Sequence, residues 1–264
     1  MDFTDDQLHR YARHIVLPEV GGVGQAKLMR ARVLVIGAGG LGAPLLMYLA
    51  AAGIGVIGVV DDDVVDLSNL QRQVIHGTGQ IGRAKVESAR AAVEDINPEI
   101  ELIAHQERVT ARNVMELIAD YDVVADGSDN FGTRFLLNDA CHLSGKILVS
   151  AAILRFEGQL ATFKSGLGKE FPCYRCLYRD PPPPGMIPSC AEGGVLGALA
   201  GVMGSLQTTE ILKEIMEIGN SMAGSLLIYD ALNTTFQNMK LKPDPGCPLC
   251  GDAPSITNLS NHLG

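Results

Sequence analysis

Charge is scarce in this chain, and its positive charge is scattered. Of 264 residues 19% are charged, and 21 Lys and Arg are outnumbered by 30 Asp and Glu, for a formal net charge of −9. A nucleic-acid backbone demands a clustered basic face. That absence argues against nucleic acid as the main ligand and requires any anionic ligand to be held locally. The amino terminus, Met1-Asp2-Phe3-Thr4-Asp5-Asp6, lacks the basic and then apolar order of a secretory signal, which favours a cytoplasmic location. Internal repeats and low-complexity tracts are also missing. With 47% hydrophobic residues, this leaves a globular chain able to fill one large α/β domain or two small ones.

Residues 33–60 contain no charged residue at all, over a length exceeding the roughly 18 to 20 residues of a membrane span. Glycines decide against a span. Gly37, Gly39, Gly40, Gly42, Gly53, Gly55 and Gly58 divide the run into a β-branched piece, a helical piece and a second β-branched piece, the pattern of a buried strand-helix-strand unit. No membrane association is expected.

Thr4 and Gln7 have capping-box spacing, and Leu8, Tyr11, Ala12, Ile15 and Val16 then recur at helical intervals, which predicts one amphipathic helix within an arm over residues 1–30. Residues 32–36 and 56–60 read as strands flanking a helix over 41–52. Helices over 83–96, 114–119 and 135–143 then alternate with strands over 100–104, 122–125 and 147–150. The expected fold is α/β: a Rossmann-like, doubly wound, mainly parallel sheet with ligands at the carboxyl ends of its strands. After residue 150 an extra strand over 159–163 and the prolines Pro181 to Pro184 change the rhythm and predict a crossover. A long, largely buried helix over 195–218 and antiparallel closing strands over 226–229 and 234–239 complete the chain. The expected organisation is a single domain: arm 1–30, nucleotide-binding core 31–165, crossover 166–193 and C-terminal part 194–264.

Gly37-Ala38-Gly39-Gly40-Leu41-Gly42 fits G-x-G-x-x-G between a predicted strand and helix, so backbone amides and the helix dipole could hold phosphates. Asp61 ends the next strand, where a carboxylate accepts hydrogen bonds from ribose hydroxyls. These two features equally suit an NAD-dependent oxidoreductase. The next segment separates the readings: Arg72 lies between two amides soon after Asp61-Asp62-Asp63, and Lys85 follows on the next helix. A dinucleotide pyrophosphate can be held mostly by backbone amides, whereas a triphosphate undergoing substitution needs cations where charge accumulates. Asp129, in Ser128-Asp129-Asn130-Phe131, follows a predicted strand and could hold Mg²⁺ beside phosphates. Any one of these charged residues could instead be a solvated or helix-capping group.

The glycine loop, Asp61-x-Asp63, Ser68-Asn69-Leu70-Gln71-Arg72-Gln73, Lys85 and Ser128-Asp129-Asn130-Phe131 together resemble the MoeB/ThiF family of ubiquitin-activating-enzyme-like adenylyltransferases, in order from about residue 8 to 251. The resemblance implies ATP bound as a magnesium complex by Gly37, Gly39, Gly40, Gly42, Asp61, Asp63, Asn69, Arg72, Gln73, Lys85, Asp129 and Asn130. It implies adenylation of the terminal glycine of a ubiquitin-like sulfur carrier. It also implies a homodimer in which Arg13, in Arg10-Tyr11-Ala12-Arg13-His14, enters the other subunit's site. The catalytic candidates are Arg13, Arg72, Lys85 and Asp129. No Ser/His/Asp or Cys/His constellation stands out among the 6 histidines, in keeping with a carboxylate nucleophile that is already ionised.

Cys173-x-x-Cys176 and Cys247-x-x-Cys250 can close a tetrahedral Cys₄ zinc site tying down the C-terminal segment; a redox pair or unrelated core cysteines are the competing readings. The family carries zinc at the matching positions. Cys141 reads as a buried helix residue. Cys190, on the crossover, is a further candidate, because in some relatives a cysteine there bonds to the carrier or to sulfur. The segment from Cys173 to Glu192 is more similar to MoeB-like members, acting on a MoaD-like carrier in molybdenum-cofactor biosynthesis, than to thiazole-pathway members acting on ThiS. No appended rhodanese-like domain is expected, since the chain ends soon after Cys250.

Overall fold

The computed structural model describes residues 3–183, 186 and 193–263. Its centre is an eight-stranded sheet in the order β3-β2-β1-β4-β5-β6-β7-β8. Five strands are parallel: β1 Arg32–Ile36, β2 Val56–Val60, β3 Glu101–His105, β4 Val123–Asp126 and β5 Ile147–Leu154. Three antiparallel strands extend it: β6 Glu157–Phe163, β7 Ser225–Asp230 and β8 Thr235–Lys240. The expected mainly parallel sheet with antiparallel C-terminal strands is the one observed.

The continuous apolar runs of β1 and β4 follow from burial on both faces. Val33, Val35, Val123 and Ala125 enter one core, and Leu34, Ile36 and Val124 enter the other. The first core is closed by α3 Gly21–Arg30, α4 Gly42–Ala52, α5 Lys85–Ile96 and α9 Gly197–Met216. The second is closed by α6 Val114–Ala119, α7 Phe131–Ser144 and the short α8 Tyr174–Leu177. Gly204 lets α9 lie directly on the start of α4: a Cβ there would stand 2.6 Å from the Leu41 carbonyl oxygen and 2.5 Å from Pro44 Cγ.

The arm is broken where one helix was predicted. α1 Asp5–Arg10 carries the Thr4/Gln7 capping box, but the chain turns at Tyr11 before α2 Ala12–Ile15. Tyr11 is buried, and its hydroxyl accepts a hydrogen bond from Asn97 Nδ2, so a tertiary contact overrides the local periodicity. The arm sits at the amino-terminal edge of the parallel strands, with Gln25 Nε2 donating to the Ala52 carbonyl at the end of α4. Among the described residues no helix is long and apolar enough to cross a membrane.

Candidate active site

Strand order reverses between β1 and β4, and the crevice outside their carboxyl ends is where such sheets bind ligands. A cleft of about 540 Å³ opens there. It is floored by the turn from β1 into α4. Gly37 has φ +94, a left-handed conformation that glycine adopts without strain. Gly42 has no room for a side chain, since a Cβ would lie 1.9 Å from the Gly37 carbonyl oxygen. It packs the turn and does not line the cleft. Gly39 and Gly40 differ. A Cβ on either would meet protein atoms only at 3.4 Å or beyond, yet both line the cleft, so their smallness leaves space for a ligand to approach the backbone. Their amides have no partner among the described residues and lie at the N-terminus of an eleven-residue helix, where anions are favoured.

Asp61, at the end of β2, braces this turn: its Oδ2 accepts from the Ala38 amide at 2.8 Å and its Oδ1 from the Asp63 amide at 2.9 Å. A carboxylate has further acceptor capacity for ribose hydroxyls. The opposite wall is charged. Lys85, the first residue of α5, is 5% exposed and donates to Asp63 Oδ2 at 2.9 Å. Arg72 reaches the cleft with Nη1 donating to the Ser68 carbonyl, and Gln73 is buried beside it with Oε1 unpartnered among the described residues. Asp129 and Asn130 lie across the cleft. The Asp129 carboxylate is exposed and has no partner among the described residues, whereas the Asn130 oxygen is occupied as the N-cap of α7, accepting from the Thr133 amide.

Gly37, Gly39, Gly40, Asp61, Asp63, Arg72, Gln73, Lys85, Asp129 and Asn130 are thus brought to one cleft. Asn69 is not; its side-chain oxygen accepts from the Asp66 amide in a reciprocal cap of a short 3₁₀ turn. Arg13 is exposed on α2, in the arm at the far end of α4 from the glycine turn. Cys190 lies outside the described residues.

Sequence patterns did not single out three groups that complete the site. Asp126, fully buried at the end of β4, accepts hydrogen bonds from Ser128, Ser150 and Arg134. Arg134 lines the cleft and also donates to the Ser128 carbonyl, and the Asp126 charge raises its pKa against the opposing effect of burial. His76 is buried beneath the glycine turn, with one ring nitrogen against the Ala38 carbonyl and the other against Ser88. Asp126 bonds Ser150 and His76 joins Ala38 to Ser88, residues distant in sequence, so no local spacing announces these roles.

The four thiols of Cys173, Cys176, Cys247 and Cys250 meet in a cluster, and none of them lines the cleft. Sulfurs 2.3 Å from a tetrahedral zinc stand about 3.8 Å apart. Here four of the six separations are 4.0, 3.5, 3.4 and 3.4 Å, bracketing that value and far too long for a disulfide, and all lie within 4.8 Å. The Asp244 amide also donates to Cys176 Sγ at 3.4 Å, a contact that suits a thiolate ligand. The donor set therefore fits a closed metal site. Cys141 is buried on α7, and burial pushes its thiol pKa up, consistent with an inert core residue.

Known proteins are similar to this chain in sequence or in fold. The sulfur carrier protein adenylyltransferase of Thermus thermophilus is 48% identical over 264 residues, covering 99% of this chain and 97% of that protein. The adenylyltransferase and sulfurtransferase MOCS3 of Sus scrofa is 48% identical, over 99% of this chain but 57% of its own length. The chain thus spans little more than half of that relative. The crystal structure of E. coli MccB with ATP superimposes with a TM-score of 0.81 at 20% identity, covering 92% of this chain and 75% of that one, a likeness of fold. The ThiF family model matches residues 11–249, nearly the whole length. The described cleft sits on that framework, and the chain belongs to the ThiF family.

Proposed function

We propose that this protein uses ATP to adenylate the C-terminal carboxylate of a ubiquitin-like sulfur-carrier protein, releasing pyrophosphate. The observation that carries the reading is the convergence of Arg72, Lys85, Arg134, two glycine amides and an exposed carboxylate on one cleft, the amides and the carboxylate having no partner among the described residues. Asp61 takes the ribose, and the Gly39 and Gly40 amides take phosphate oxygens. Arg72 and Lys85 neutralise the charge that builds up as the carrier's carboxylate attacks the α-phosphate. Bond formation to phosphorus and departure of pyrophosphate require no proton transfer at the nucleophile. A terminal carboxyl with a pKa of about 3.5 is already ionised, so what must be supplied is positioning and relief of anion repulsion.

Asp129 would hold Mg²⁺, which when bound shields phosphate charge and polarises phosphoryl oxygens. The four cysteines would hold a structural zinc with no open position. The protein acts as a homodimer, with Arg13 of one protomer serving the cleft of the other; its exposure in the arm, away from its own cleft, supports that role. The carrier is of the MoaD type, serving molybdenum-cofactor biosynthesis.

Incubation with ATP, Mg²⁺ and either a MoaD-type or a ThiS-type carrier, followed by mass spectrometry of the carrier, tests the reading. An acyl-adenylate on the terminal glycine of the MoaD-type carrier is expected. Adenylation of ThiS alone would move the enzyme to the thiamine pathway, and no adduct on either, with ATP bound, would overturn the assignment.

A further inference from the structure

The Ala38 peptide groups are gripped from both sides. The Ala38 amide donates to Asp61 Oδ2, and the Ala38 carbonyl faces His76 Nε2 at 2.8 Å. A carbonyl only accepts, so Nε2 carries the proton and donates. Nδ1 is then bare and accepts from Ser88 Oγ, also at 2.8 Å. Both side chains are buried, His76 at 6% and Ser88 at 2% exposure. Burial, aided by the nearby Lys85 charge, pushes the His76 pKa down, and the ring stays neutral.

Peptide 38–39 is planar and trans, so its N–H points opposite to its C=O. Drawing the Ala38 oxygen toward His76 therefore turns the Gly39 N–H the other way. That amide has no partner among the described residues, and Gly39 lines the cleft. We propose that His76 is a positioning residue that aims the Gly39 amide into the nucleotide cleft as a donor to a phosphate oxygen. Ser88 completes the device. It stands three residues after Lys85 on α5, so one imidazole fixes both the glycine turn and the helix that carries the cation. The inference rests on the reading of the cleft as an ATP site.

The experiment compares Mg·ATP with adenosine, which lacks phosphates, as calorimetric probes of the intact protein. His76→Leu removes both hydrogen bonds; His76→Gln keeps an N–H near the Nε2 position and an acceptor for Ser88. The leucine variant is expected to bind Mg·ATP at least about tenfold more weakly, the loss of one charge-assisted hydrogen bond, with adenosine within about twofold of the parent. The glutamine variant should recover most of the ATP affinity. Where His76→Leu fails to fold, Ser88→Ala, which frees the ring to tilt, should show a smaller loss confined to ATP. Equal losses of ATP and adenosine in a folded variant, or unchanged ATP binding, would overturn the positioning role. If the unaltered protein binds Mg·ATP no better than adenosine, the phosphate-site reading itself fails.

Discussion

Replacing Lys85 by Met removes one ammonium while keeping an unbranched side chain and good helix propensity at the first residue of α5. The ion pair it breaks is lopsided: the Lys85 side chain is 6% exposed, whereas that of Asp63 is 68% exposed. Solvent screens the aspartate, so the field reaching the cleft is mainly that of the lysine. A unit cation 4 Å from a phosphate oxygen, at an effective dielectric of 20, attracts it by about 4 kcal/mol. Partial cancellation by Asp63 and by water entering the variant site brings the net loss to about 2.7–4 kcal/mol, the range for removing one preorganised electrostatic group. Carrier-dependent ATP–pyrophosphate exchange should accordingly fall by about 10² to 10³. Stability should change little, because the freed Asp63 already faces water. Exchange within about fivefold of the parent, at saturating ATP and with a normal melting curve, would refute this electrostatic account.

Asp129→Ala and Arg72→Ala should each lower exchange by at least about 10² while leaving the circular dichroism spectrum intact, since neither side chain supports the core. Near-normal exchange would remove them from the mechanism. Freshly purified, reduced protein should contain one zinc per chain by elemental analysis, and Cys247→Ser should lose the metal and melt at lower temperature; metal-free parent protein would refute the site. Stability should also depend on Asp139, which is fully buried and accepts from Arg175 Nε and Nη2 and from His262. Burial acts to raise its pKa, but the hydrogen bonds from His262 and Arg175 prevail and lower it. Its contribution is therefore complete above the ordinary aspartate value of about 3.9 and lost as pH falls through the lower folded value. In acid titrations of stability below about pH 4, Asp139→Asn should flatten the slope that the parent shows, and identical slopes would count against the linkage.

The parts of this molecule that the sequence discloses are those whose cause is local. β1, α4 and β2 are legible because a strand buried on both faces must be apolar throughout, and because glycine is needed where Gly37 turns left-handed and where Gly42 meets a carbonyl. Lys85, Arg72 and Asp129 are legible as charges following strand ends, and the fold delivers those ends to one crevice. Where the cause is tertiary, the reading falters. α7 begins at Phe131, four residues before the predicted start, because the Asn130 cap begins a helix through Gly132 that periodicity alone does not show. α3 contains Gly21, Gly22 and Gly24, residues of poor helix propensity. It is held from outside, by Gly24 lying against Met216 and by Gln25 bonding the end of α4. Asp126 and His76 belong to the same class as α3. Asp126 gathers residues 128, 134 and 150, and His76 joins residues 38 and 88, so each is meaningful only after the chain has folded. On the proposed reading, the motif residues would meet the ligand's groups, whereas the groups that orient them show only in the hydrogen bonds of the folded chain. Substitutions at Asp126 or His76 should therefore alter nucleotide handling as much as those at the glycines themselves.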